Sequence, residues 1–212
     1  MKTRLLLVLC LAMLTACQRT TTDTPKVTQA ASNPASNAVA SEAPHQSARP
    51  TPTEDELRAV IKKNYEDVVT IDDSRPTPFM TGDFNGDHSE DIAVVVKPRK
   101  LADLNSEYVN WILEDPHHVQ QASTNVRKDD VLLAVIHGHQ GEGWRHEFAR
   151  QTYLLKNVVG TDLETMSIKQ LRSPGESRLL PSLRGDVIHE KLKGSGGIIY
   201  WTGGKYAWHP VG

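Results

Sequence analysis

The sequence predicts an α+β domain built on a largely antiparallel sheet, with a capping helix at its N-terminal end and a β-hairpin within a meander at its C-terminal end. Three observations predict it. Thr53-Glu54-Asp55-Glu56 is a capping box, and Leu57, Val60, Ile61, Tyr65 and Val68 follow at helical spacing, so a helix with one apolar face starts there. Ile92–Val96 and Val131–Ile136 are continuous apolar runs without a charge, the pattern of buried strands. Ile198-Ile199-Tyr200-Trp201, then Thr202-Gly203-Gly204, then Lys205-Tyr206-Ala207-Trp208 reads as a hairpin with glycines at its turn.

Ahead of that domain the chain reads as an address. Met1-Lys2-Thr3-Arg4 is a short basic region, and Leu5 to Leu14 is an apolar stretch too short to span about 30 Å of hydrocarbon. Leu14-Thr15-Ala16-Cys17 resembles the bacterial lipobox. The resemblance implies a lipoprotein signal peptide over residues 1–16, cleavage before Cys17, and lipid on its sulfur and new amino group, where two or more acyl chains anchor stably. Gln18 is not the aspartate that retains such proteins in the inner membrane. The expected place is therefore the cell envelope, on the outer membrane facing the periplasm if the cell is Gram-negative. Cys10 leaves with the signal and Cys17 carries lipid, so no thiol remains for a disulfide, a zinc-thiolate site or a nucleophile.

Residues 17–52 are rich in Thr, Ala, Ser, Asn and Pro and hold too little apolar surface to offset ordering entropy, which predicts a disordered tether. Residues 53–212 then form a single domain. After the helix, Asp72-Asp73 with Pro76 and Pro78 break the chain. Phe79-Met80-Thr81 is a short strand that Ile92 to Lys97 pairs back upon, and Pro98 ends the pair. Leu101, Leu104, Tyr108, Trp111 and Ile112 have 3.6-type spacing and predict a helix or a long ordered crossover. Tyr153–Leu155 and Met166–Leu171 read as further strands, and Asp186–Leu192 as the outer strand of the terminal meander.

Between the paired strands lies Gly82-Asp83-Phe84-Asn85-Gly86-Asp87-His88-Ser89-Glu90-Asp91. Oxygen-bearing side chains stand at positions 1, 3, 5 and 9 (Asp83, Asn85, Asp87 and Asp91), and four carboxylates lie close together along it. Like charges a few Å apart repel by about 1 kcal/mol even in water, and hard oxygens at alternating positions suit a calcium ion. The pattern, entered through Gly-Asp-Phe and left through Asp-Ile-Ala-Val, resembles the calcium loop of FG-GAP and VCBS repeats. Carried over, Asp83, Asn85, Asp87 and Asp91 give side-chain oxygens and Ser89 a backbone carbonyl. His88 departs from the pattern, which has glycine there at positive φ; histidine is one of the few other residues enriched in that region. The alternative is an Asp/Asn/Gly-rich turn that needs no metal. No second copy of the loop exists, which argues against a propeller. The Tyr-Trp-x-Gly-x-x-Tyr hairpin is similar to the end of small bacterial secreted proteins with one such loop, a resemblance that brings no activity with it.

Charge excludes a nucleic-acid partner: 24 basic residues face 26 acidic ones, and no basic field stands out. His137-Gly138-His139-Gln140-Gly141-Glu142-Gly143-Trp144 resembles the His-Gly oxyanion loop of α/β-hydrolases, yet the Gly-x-Ser-x-Gly elbow is absent and Gly194-Ser195-Gly196 sits beside a hairpin. His137 and His139 would face one way on a continued strand and suit zinc or copper, with His117, His118 or Glu142 as a third ligand. The alternative is two histidines in an exposed turn. Tyr200, Trp201, Tyr206 and Trp208 alternate across the hairpin, one face for the core and one open to a glycan or peptide. Together these imply a membrane-anchored envelope lipoprotein, a non-catalytic binding or structural module with a Ca2+-stabilised loop and an envelope protein or glycan as partner. The alternative is a small envelope hydrolase using His137–Trp144.

Overall fold

The computed structural model describes residues 49–118, 125–172, 179–192 and 195–211. The signal peptide, Cys17, the tether as far as residue 48, and Gly194 lie outside the described residues. In chain order the elements are α1 (Glu54–Tyr65), β1 (Val69–Ile71), β2 (Phe79–Gly82), β3 (Asp91–Pro98), α2 (Leu101–Leu104), β4 (Ile112–Glu114), β5 (Leu132–His137), β6 (Gln151–Lys156), β7 (Leu163–Met166), α3 (Ile168–Leu171), β8 (Val187–Leu192), β9 (Ser195–Trp201) and β10 (Tyr206–Pro210). The fold is α+β and sheet-rich, as expected, but it holds two sheets rather than one. The first runs β1-β3-β5-β6-β4, with β2 following β1 along the same edge of β3; the second runs β10-β9-β8-β7. Every pairing is antiparallel except β4 with β6.

Thr53 caps α1 as its sequence predicts. Glu56 N–H donates to Thr53 Oγ1 at 3.3 Å, and Thr53 N–H donates to the Glu56 carboxylate at 2.8 Å. Leu57, Val60, Ile61 and Tyr65 then lie on one face, packed on Ile92, Val94, Val96, Leu132, Ala134 and Ile136. The opposite face of the same strands (Ala93, Val95, Leu133, Val135) and Tyr153 of β6 packs on Ile188, Ile199, Trp201 and Tyr206 of the second sheet. This explains the unbroken apolar runs: β3 and β5 are covered on both faces, so neither face admits a polar residue. Each such side chain contributes about 1.5–3 kcal/mol on burial.

The two sheets are fastened along both sides. Thr165 Oγ1 of β7 donates to the Thr81 carbonyl of β2 at 3.0 Å, and Tyr206 N–H of β10 donates to Glu114 Oε2 of β4 at 2.8 Å. In the hairpin, Tyr206 faces Trp201 and Trp208 faces Ile199. Trp201, Tyr206 and Trp208 therefore share the core-facing side, and only Tyr200 of the four hairpin aromatics is left on the other.

The 3.6-type spacing at 101–112 does not produce a long helix. Only Leu101–Leu104 is helical, without a side-chain cap at Lys100; Tyr108 is 94% exposed, and Ile112 lies in β4. Met166–Leu171 is likewise not a strand throughout. β7 ends at Met166, and Ser167 with Gln170 forms a second capping box that starts α3.

Candidate functional site

The loop between β2 and β3 is closed by its own amides. Asp83 Oδ1 accepts from Gly86 N–H at 2.8 Å and Asp87 N–H at 3.0 Å, and Asp83 Oδ2 accepts from His88 N–H at 3.0 Å. Asn85 Oδ1 accepts from Asp87 N–H at 2.9 Å, and Asp87 Oδ1 from Ser89 N–H at 2.8 Å. These short side-chain-to-backbone bonds are the reason Asp and Asn favour such turns. Gly86 and His88 both take positive φ, +77° and +69°. A Cβ at Gly86 would collide with the Arg184 carbonyl, so glycine is required there; His88 tolerates the conformation with an exposed ring.

Asp91 is the buried member. Its Oδ2 accepts from Phe84 N–H at 2.8 Å and Asn85 N–H at 3.1 Å, and its Oδ1 from Gly138 N–H at 2.6 Å. Burial pushes its carboxyl up to about 7, against the pull of these amides. A further carboxylate, Asp186, accepts from Asp83 N–H at 3.1 Å, while Asp186 N–H donates to the Asp83 carbonyl at 2.7 Å. The acidic loop is thus held from three directions: by its own residues, by the segment after β5, and by the segment before β8.

Glu90 links this loop to the start of the domain. Its carboxylate accepts from Trp144 Nε1–H at 2.8 Å and lies 3.3 Å from Arg49 and 3.5 Å from Arg145. Arg145 stacks on the Trp144 ring at 4.1 Å, pairs with Glu56 at 2.8 Å and donates to the Pro50 carbonyl at 3.0 Å. Its guanidinium holds Glu56 down at about 2, with Thr53 adding to the effect. Arg49 and Pro50 lie upstream of the expected domain start at residue 53, yet both are engaged here. Of this cluster only Glu90 stood out in the sequence, as a fourth carboxylate; a guanidinium next to Trp144 is a weak signal.

The hydrolase-like segment is taken up by the fold. Gly138 N–H serves Asp91, His139 N–H bonds the Gly143 carbonyl at 3.0 Å, Gly143 N–H the Gln140 carbonyl at 3.2 Å, and Trp144 N–H the Glu90 carbonyl at 2.7 Å. His137 is buried among Tyr153, Trp201 and Tyr206, with Nε2 2.7 Å from the Tyr206 hydroxyl. Burial lowers the imidazole pKa and raises that of the phenol, so this is a bond between neutral groups. His139 lies elsewhere, its ring 4.8 Å from that of His146, and the two histidines do not converge. His118 pairs with Asp115 at 3.0 Å, and His117 stacks on Trp208, away from both.

The donors at Asp83, Asn85, Asp87, Asp91 and the Ser89 carbonyl are hard oxygens, right for calcium in kind. Among the described residues, no group of three or more His, Cys, Asp or Glu side chains is gathered closely enough to hold a metal ion. Charge argues the other way. Asp83, Asp87 and Asp91 have no lysine or arginine partner among the described residues; Asp83 has only His88 Nδ1 at 3.6 Å. No helix of the described residues is long and apolar enough to cross a membrane. No family model, curated protein or solved structure matches the chain.

Proposed function

We propose that this chain is a membrane-anchored envelope lipoprotein, held through Cys17, whose domain is a non-catalytic binding and structural module with a calcium-stabilised loop. The observation that carries the non-catalytic part is the use of the His137–Trp144 amides: each bonds inside the protein, so none is left to receive an oxyanion. Calcium is supported by three aspartates within one loop that lack a strong cationic partner. Asp83, Asn85, Asp87, Asp91 and the Ser89 carbonyl would hold the ion, which would relieve repulsion and act through folding.

The test is thermal unfolding of the full-length protein in detergent, first with EDTA and then with calcium. An ion at a hundred times its Kd adds about 2.7 kcal/mol, roughly 5–10 °C in Tm for a domain of this size. Asp87→Ala should abolish the shift. No shift at millimolar calcium would reduce the loop to an acidic turn. Metabolic labelling with palmitate, lost in Cys17→Ala, tests the anchor separately.

A further inference from the structure

One sheet edge is left uncovered. Glu114 caps the Tyr206 amide on β10, and Thr165 ties β7 to β2, but β1 borders β3 on one side only. Arg99 N–H donates to the Val68 carbonyl at 2.8 Å and Asp72 N–H to the Val95 carbonyl at 2.9 Å, so residues 68, 70 and 72 face β3. In an antiparallel ladder the residues between them point their backbone groups the opposite way. Those residues are Val69 and Ile71. The Ile71 carbonyl takes Asp73 N–H at 3.1 Å, which leaves both amides and the Val69 carbonyl directed off the edge.

A groove of about 540 Å³ adjoins this edge, lined by Arg58, Ile61 and Lys62 of α1, by β1 itself, and by Arg99. Arg58 is committed to Glu54 and Asp73, and the nearby Asp67 to Lys100. Lys62 and Arg99 are exposed, and neither makes an ion pair with a described residue; Glu66 is the one uncommitted acid of the lining. Helix beside free edge is the arrangement that receives an extended peptide as an added strand.

We propose that this groove binds an extended acidic peptide segment of a partner protein, whose backbone pairs with Val69 and Ile71 and whose carboxylates meet Lys62 and Arg99. The proposal rests on the reading of the domain as a binding module and names the partner's chemistry. A three-residue edge gives a short ladder, so the complex is weak and transient.

The probe is a blocked octapeptide of alternating Glu and Thr, titrated into the 15N-labelled full-length protein in detergent, with the Lys-for-Glu peptide as control. Expected are saturable shifts of the Val69 and Ile71 amides with the acidic peptide only. The double variant Lys62→Glu/Arg99→Glu should weaken binding at least tenfold, and both side chains are exposed, so the fold survives the change. N-methylation of alternate peptide residues should abolish binding in one register and leave it intact in the other. Absent binding, binding indifferent to charge reversal, or equal sensitivity to both N-methyl series would overturn the proposal. Concentration-dependent self-association that buries β1 would overturn it in favour of a second copy as occupant. A negative result here leaves the calcium-dependent Tm untouched, whereas catalytic turnover by the protein would sink the module reading without moving these amide shifts.

Discussion

Gly197 and Gly204 lie in or beside the same hairpin, and the structure assigns them opposite responses to the same substitution. A Cβ at Gly197 would overlap the Trp208 ring, whereas a Cβ at Gly204 would meet nothing within 4 Å. Trp208 lies across Gly197 to donate from Nε1 to Glu190 Oε1 at 2.7 Å. Glu190 is fully buried, its other oxygen has no hydrogen-bond partner, and burial raises its pKa. Gly197→Ala therefore costs twice. Overpacking takes about 1–3 kcal/mol, and loss of a hydrogen bond to a charged group takes about 1.5–3 kcal/mol. Relief of glycine's strand penalty returns about 0.5–1 kcal/mol. The net is a destabilisation of about 3 kcal/mol for Gly197→Ala, against a change within about 0.5 kcal/mol for Gly204→Ala. Urea unfolding followed by tryptophan fluorescence measures both. If Gly197→Ala unfolds at the wild-type midpoint with unchanged slope, the placement of Trp208 over that glycine is wrong.

Other consequences are as direct. Asp91→Ala leaves the Phe84, Asn85 and Gly138 amides without their acceptor; at about 1–3 kcal/mol for each unsatisfied group, an overall loss of about 4 kcal/mol is expected in EDTA, and a loss under about 1 kcal/mol would refute Asp91 as the loop's lock. Glu56 sits at about 2 in the fold against 4.5 for the ordinary carboxyl, so its contribution is complete above about pH 4.5 and disappears as pH falls toward 2. The group is partly exposed, so Glu56→Gln should cost about 1 kcal/mol at pH 6 after solvent screening, with the gap to wild type closing near pH 2 in parallel denaturation curves. His137→Ala opens a cavity between the sheets and should lower Tm, while His139→Ala should leave it within a degree or two; equal effects would contradict their different burial.

Local signals in the sequence were sufficient for several elements. Thr53 with Glu56, the β2–β3 pair and the terminal hairpin each depend on residues a few positions apart, and each forms as expected. The apolar runs of β3 and β5 reveal strands buried on both faces without revealing what covers the second face, so the second sheet was not legible. Leu101–Ile112 misleads because its spacing lacks a cap and Tyr108 and Ile112 point to solvent. Ser167 and Gln170 did carry a signal, the same capping-box pattern as Thr53 and Glu56, and it identifies α3. At the acidic loop, positive φ at His88 follows from its position in the turn. Its outer supports do not: Gly138 and Asp186 meet Asp91 and Asp83 from far along the chain, and no local pattern encodes such a contact.

The clasp around Glu90 also sets the mechanics of the domain. A pull applied upstream of Arg49 reaches Arg49–Glu90 and the Arg145–Pro50 bond before it reaches the capping box of α1. Load therefore arrives beside the acidic loop and strains side-chain bridges in parallel, rather than peeling a sheet edge one backbone bond at a time. The β10 end has no such bridge upstream of its ladder and would unzip under a smaller force. Optical-tweezer pulling from residue 49 and from residue 211 separately would show this as two different first ruptures, with the N-terminal one weakened by Glu90→Gln.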